Sequence, residues 1–95
     1  MPKGDKYVSL TSFLLHCGQE TIQMTFSKID ELCGLSPYAY KYSAAWNNAS
    51  QHSLSFGWLL ADYVVEDYSL LENWVIFRHD PLQAKDYLAR MPNHK

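Results

Sequence analysis

The sequence predicts an α+β fold: a small, mostly antiparallel sheet of about three strands packed against four to five short helices. Three observations predict it. Short blocks with apolar residues at helical spacing are punctuated by glycine or by a capping residue followed by proline. Two β-rich runs, Tyr63–Leu70 and Trp74–His79, flank the short connection Leu71-Glu72-Asn73 and read as a hairpin. A third run, Thr21–Thr25, alternates Ile22 and Met24 with polar neighbours.

Each element has its own local reason. Tyr7, Leu10, Phe13, Leu14 and Cys17 share a helical face and Gly18 stops it, so a helix is expected over about 6–17. After the strand, Phe26, Ile29, Leu32 and Cys33 line a second helix, capped by Thr25 or Ser27 and ended by Gly34. Ser36-Pro37 opens a short helix over about 37–42. The polar stretch Asn47-Asn48-Ala49-Ser50-Gln51 reads as a loop. Leu54, Trp58, Leu59 and Ala61 then predict a helix over about 51–61. In the last strand Val75 and Phe77 share one face, while Trp74, Ile76 and Arg78 share the other. Asp80-Pro81 starts a final amphipathic helix to about residue 91, with Leu82, Ala84, Tyr87, Leu88 and Met91 as its stripe. The expected core centres on Phe13, Phe26, Ile29, Leu32, Trp58, Leu59, Val65, Val75 and Phe77.

A chain of 95 residues with 47% apolar and 19% charged composition supports one domain and one core. Its net charge of −2 excludes the strongly basic footprint of an electrostatic nucleic-acid binder. Apolar runs such as Trp58-Leu59-Leu60-Ala61 are far too short to span a membrane, and the start lacks a cleavable leader pattern. The expectation is a cytoplasmic protein without a membrane partner, in which Cys17 and Cys33 are reduced thiols.

Nothing in the spacing assembles a catalytic or metal centre. His16, His52, His79 and His94 form no ligand motif with each other or with the cysteines. The glycines at 4, 18, 34 and 57 are isolated, so no phosphate loop exists, and no nucleophile elbow is present. Asp62, Glu66, Asp67 and Glu72 cluster without a basic partner and read as the solvated rim of the hairpin rather than as an acid–base pair. The expectation is a non-enzymatic protein without cofactor or metal.

The segment from Tyr38 to Asn48 stands apart. It concentrates Tyr38, Tyr40, Lys41, Tyr42, Trp46, Asn47 and Asn48, the residue types that dominate recognition surfaces. The competing reading is that these rings fill the core, with Tyr38 and Tyr42, four apart, on one inward helix face; about half of the rings are expected in the core. The binding surface is assigned to Tyr40, Lys41, Trp46, Asn48, His52 and Arg78. Lys41, Trp46, Asn48 and His52 are expected to converge, because the two helices flanking the loop must bring their facing ends together. An anionic group would sit at that junction, with Trp46 as a docking face and Asn48 as the directional hydrogen-bonding group; the alternative is a buried Trp46, with Asn48 only capping the next helix.

The order of these motifs resembles a family of small bacterial and phage domains of unknown function. Its pattern runs LPxSAYKY, then WWxND, AGYxV and VxFR. The corresponding residues are Leu35 to Tyr42, Trp46-Asn47-Asn48, Ala61 to Val65 and Val75-Ile76-Phe77-Arg78, with Met1 to Tyr7, Met24-Thr25-Phe26, His52-Ser53 and Trp58-Leu59 also matching. Ala45 stands at the family's first tryptophan, Ala49 at its aspartate, Asp62 at its glycine and Tyr38 at its serine. The resemblance covers 1–79, read as the family-like domain, and leaves 80–95 as an accessory helix and tail of the same domain. It implies the fold, a mobile-element or defence context, and nucleic acid as the commonest partner.

Two functions follow as expectations. One is a small binding module associated with nucleic acid through its aromatic and amide surface. The other is a phage-type inhibitor or adaptor that contacts a host or phage protein. The stripe of the final helix must cover either the open side of the core or a second copy, so a homodimer through that helix is a further expectation.

Overall fold

A computed structural model of the chain describes residues 7–48 and 53–90. The elements follow in the order α1 (Val8–Cys17), β1 (Thr21–Thr25), α2 (Phe26–Cys33), α3 (Pro37–Lys41), a 3-10 turn (Ser43–Trp46), α4 (Ser53–Leu59), β2 (Tyr63–Ser69), β3 (Trp74–His79) and α5 (Pro81–Arg90). The α+β class and the antiparallel three-stranded sheet are as the sequence predicts. The start of the expected helix over 51–61, and with it His52, lies outside the described residues, as does Met91.

Local chemistry sets the boundaries. Gly18 ends α1 in the left-handed region at φ 65°. The Thr25 hydroxyl accepts the Lys28 N–H at 3.1 Å and so caps α2. Asp80 accepts the Gln83 N–H at 3.1 Å and caps α5, with Pro81 in the first turn. Ser36 holds the N-cap position of α3, but its side chain makes no capping bond, so Pro37 alone marks that start. Between β2 and β3 the chain turns through Asn73 at φ 61°, a conformation asparagine tolerates, and the Asn73 N–H returns to the Ser69 carbonyl at 2.8 Å.

The sheet order is β1-β3-β2, so the strand last in sequence is central. β3 pairs with β1 from Thr21↔Arg78 to Thr25↔Trp74, and with β2 from Tyr63↔His79 to Ser69↔Trp74. Glu66 is the extra residue of a β-bulge between Val65 and Asp67. Ile22, Met24, Val75 and Phe77 form the buried side of the sheet, against the helices.

Helices α1 and α4 meet at Gly57. A Cβ there would stand 3.1 Å from both Leu10 Cδ2 and Tyr7 Cβ, closer than ordinary van der Waals contact, so any larger residue would push the two helices slightly apart. The Thr11 hydroxyl uses the closeness to donate to the Gly57 carbonyl at 2.7 Å. Helix α5 packs against α4 and β2 and buries Ala84 completely. Leu82, expected in its stripe, is 83% exposed instead, because the face turned to the domain is Ala84, Tyr87 and Leu88.

Six of the nine expected core residues are buried: Phe26, Ile29, Trp58, Leu59, Val75 and Phe77. Phe13, Leu32 and Val65 are half-buried around them. On β2 both Tyr63 and Val64 are buried, although strand alternation sends them to opposite faces; the start of β2 is covered on both sides. Asp62 sits at φ 69°. A non-glycine residue pays a conformational penalty there, softened for aspartate. Asp62→Gly is therefore expected to stabilise the fold by up to ~1 kcal/mol. A urea melt checks this; a destabilised variant would assign the Asp62 side chain an essential contact.

Candidate binding surface

The segment from Tyr38 to Asn48 divides between the core and the surface, and the division differs from the expected one. Trp46 is 1% exposed. It is the centre of an aromatic column, stacked on Phe26 at 4.7 Å and on Trp58 at 5.8 Å between centroids. Phe77 continues the column beyond Trp58, and Tyr40 meets Phe26 edge-on at 5.5 Å. The Trp46 indole N–H donates to the Ala39 carbonyl at 2.9 Å, so its polar atom is satisfied inside the fold. Trp46 is thus not a docking face. A fully buried, hydrogen-bonded indole has no surface to offer, and Tyr40 is half-committed to the same column.

Asn48 is also engaged. Its Oδ1 accepts the Trp58 indole N–H at 2.9 Å and the Val65 N–H at 2.8 Å, while its Nδ2 donates to the Val65 carbonyl at 3.1 Å. The bidentate amide expected to read a ligand instead pairs with the backbone of β2, as a neighbouring strand would. Asn48 thereby closes the outer edge of the sheet at Val65 and ties it to the aromatic column. Next along that edge, the Tyr68 N–H is taken by the Asp67 carboxylate at 2.8 Å.

Arg78 does not join this segment. It alternates with Phe77 on β3 and so lies on the opposite face of the sheet from the aromatic column. There its guanidinium contacts Asp80 at 3.1 Å and, more loosely, Glu66 at 3.9 Å. The expected convergence of Lys41, Trp46, Asn48 and His52 loses Trp46 and Asn48 to the fold, and its His52 member lies outside the described residues. The hairpin carboxylates have structural partners: Glu66 with Arg78, Asp67 with the Tyr68 N–H, and Glu72 with the Trp74 indole N–H at 2.9 Å.

What remains at the surface is a pair of tyrosines. Tyr38 on α3 and Tyr42, the C-cap residue just past it, lie side by side and outward. Their rings stack at 4.9 Å with an interplanar angle of 29°, and they are 38% and 54% exposed. Lys41, also exposed, closes the same short helix. Tyr38 further borders a groove of about 210 Å³ lined by Tyr7, Leu35, Ser36, Ala39, Ala45 and Leu54. The i, i+4 spacing announces the pair, but it does not say which side of a five-residue helix faces the core.

A second hollow lies at the other end of the sheet, lined by Leu14, Leu15, Gly18, Gln19, Glu20, Ala61, Asp62, Tyr63 and His79. The Tyr63 hydroxyl donates to the Gln19 carbonyl, and the His79 ring meets Tyr63 edge-on at 5.1 Å. Burial pushes the Tyr63 phenol above its ordinary value, and the neighbouring Cys17 adds to the shift. That hydroxyl ties the loop after α1 to β2 and is spent on the fold. Among the described residues no group of three or more His, Cys, Asp or Glu side chains is placed to hold a metal ion. Nor is any described helix long and apolar enough to cross a membrane.

Fold and surface together define a small α+β domain with an exposed aromatic pair. Residues 7–80 match the model of a domain of unknown function, DUF7662, and the chain belongs to that family. No curated protein and no solved structure matches the chain.

Proposed function

We propose that the chain is a small, non-enzymatic, protein-binding module that holds a partner segment against Tyr38 and Tyr42. The observation that carries this reading is the exposed, mutually stacked tyrosine pair. Tyrosine supplies stiff contact area at small entropic cost and a hydroxyl at its rim, which is why it is enriched where proteins dock. The groove beside Tyr38 would receive an apolar side chain of the partner, and Lys41 favours an acidic group next to it. A cytoplasmic setting, with Cys17 and Cys33 outside any disulfide, and a mobile-element or defence context belong to the same reading.

The nucleic-acid reading keeps one specific support: Lys41 next to two stacking rings on one short helix. Against it stand the net charge of −2 and the engagement of Arg78 by Asp80 and Glu66.

The test uses the Tyr38→Ser/Tyr42→Ser double variant. A partner captured from a bacterial or phage-infected lysate by the wild type is titrated against both proteins. Affinity is expected to fall at least ~10-fold in the double variant, with an unchanged urea melt. Unchanged affinity removes the tyrosine pair as the site. In parallel, binding of a labelled oligonucleotide is followed across salt concentrations. Tight binding with a steep salt slope, reduced by about 1 in Lys41→Ala, would replace the protein-binding reading with the nucleic-acid one.

A further inference from the structure

The two edges of the sheet are treated differently by the fold. The β2 edge is closed: Val65 is paired by the Asn48 amide, Glu66 forms a bulge, and the Tyr68 N–H is taken by Asp67. The β1 edge has none of these devices. Its ladder phase is fixed by two flanking bonds, the His79 N–H to the Glu20 carbonyl at 2.7 Å and the Phe26 N–H to the Asn73 carbonyl at 2.9 Å. With the observed register, Ile22 and Met24 exchange bonds with β3. Thr21 and Gln23 therefore turn their N–H and C=O groups outward and Thr25 its N–H, and no partner takes those N–H groups among the described residues. The strand contains no lysine, proline or bulge, the usual means of blocking such an edge.

We infer that the β1 edge is a self-association surface, and that its partner is a second copy of this chain paired antiparallel about a twofold axis at Gln23. The residues make the strand its own complement. About Gln23, Thr21 falls opposite Thr25 of the second copy, Ile22 opposite Met24, and Gln23 opposite Gln23. A twofold places like against like at its centre, so a charge there would repel itself; this strand has none between 21 and 25. The nearest charges beyond its ends, Glu20 and Lys28, are of opposite sign, so the ends of the paired strands carry no like-charge repulsion between these two positions. The outward-facing residues are those that form hydrogen-bonded pairs in this register. Gln23 exchanges both bonds with its counterpart. Thr25, whose carbonyl begins α2, donates its N–H to Thr21 of the other copy. The product is a continuous six-stranded antiparallel sheet whose Ile22 and Met24 extend one apolar layer across the axis. Five residues per copy make a small interface, so the dimer is expected to be reversible.

Sedimentation equilibrium of the full chain at concentrations rising to roughly 1 mM, the weak end of the affinity scale, should give a mass approaching twice 11.0 kDa. Gln23→Lys sets two ammonium groups face to face on the axis and should return the monomer mass with an unchanged far-UV spectrum. Leu82→Glu, on the exposed face of α5, should leave the dimer intact. Gln23→Cys, in a Cys17→Ser/Cys33→Ser background, should form an oxidised cross-linked dimer, because Cα atoms of a hydrogen-bonded pair lie ~5.5 Å apart. A monomeric wild type overturns the inference, as does a dimer that survives Gln23→Lys or is lost in Leu82→Glu. Should Gln23→Lys fail to fold, absence of the cross-linked dimer in the cysteine variant overturns it instead.

Discussion

Trp58→Ala is expected to cost about 3–5 kcal/mol, a large share of the stability of a domain this small. Trp58 is fully buried on α4 at the middle of the core. On one side its ring stacks on Trp46, and on the other it leans on Phe77 of the central strand at 5.6 Å. Alanine would leave a cavity between them that a short helix, held against α1 at Gly57, has little room to collapse into. It would also remove the indole N–H from Asn48. Urea melts of the two proteins measure the difference. A cost below about 1 kcal/mol would mean that the aromatic column reorganises around the gap.

The second large effect is expected at Asn48. Asn48→Ala removes no apolar volume of consequence, yet it strands three polar groups: the Trp58 N–H, the Val65 N–H and the Val65 carbonyl. Each half-buried group left without a partner costs about 1–3 kcal/mol where water cannot reach it. Partial hydration of the strand edge lowers the sum, so about 2–4 kcal/mol is expected for the variant. Asn48→Asp is the informative companion. It keeps an acceptor for both N–H groups but sets a carboxylate oxygen against the Val65 carbonyl. It should fall between wild type and alanine near neutral pH. Equal stability of Asn48→Ala and wild type in chemical denaturation would show that the amide contributes nothing to closing the edge.

The elements legible in the sequence are those with punctuation. Gly18, Gly34 and the pair Asp80-Pro81 mark helix boundaries through backbone chemistry that acts within a few residues, and the structure places the ends where those residues stand. The hairpin was legible because alternation and a turn-forming asparagine agree. Trp46 was not, since it sits in a 3-10 turn too short to carry a period, and its burial is decided by Phe26 and Trp58 on other helices. Asn48 shows the same limit more sharply. Its residue type correctly announced a bidentate hydrogen-bonding group, but its partners lie 10 and 17 positions away. Only the folded chain reveals that it bonds to a strand edge. The spacing of Tyr38 and Tyr42 paired them but left their side open, because nothing local to a single short helix distinguishes its solvent face from its core face.

Because the central strand is the last one in sequence, the order in which the chain is made bears on how it folds. β1 is complete at residue 25 and must wait for residue 74 before its neighbour exists. At ribosomal speeds of about 5–20 residues per second that delay lasts roughly 2–10 s, far longer than a hairpin needs to form. During it β1 has no sheet to join, and the nascent chain carries an uncharged, apolar-containing segment with both edges bare. When 74–79 emerges, β2 and β3 close first through a local turn, and β1 must then find the far side of β3 across a long loop. Nascent chains on adjacent ribosomes of one message hold the same waiting segment at high local concentration, so the interval before β3 appears is when this domain is most exposed to capture by a chaperone or by its own copies.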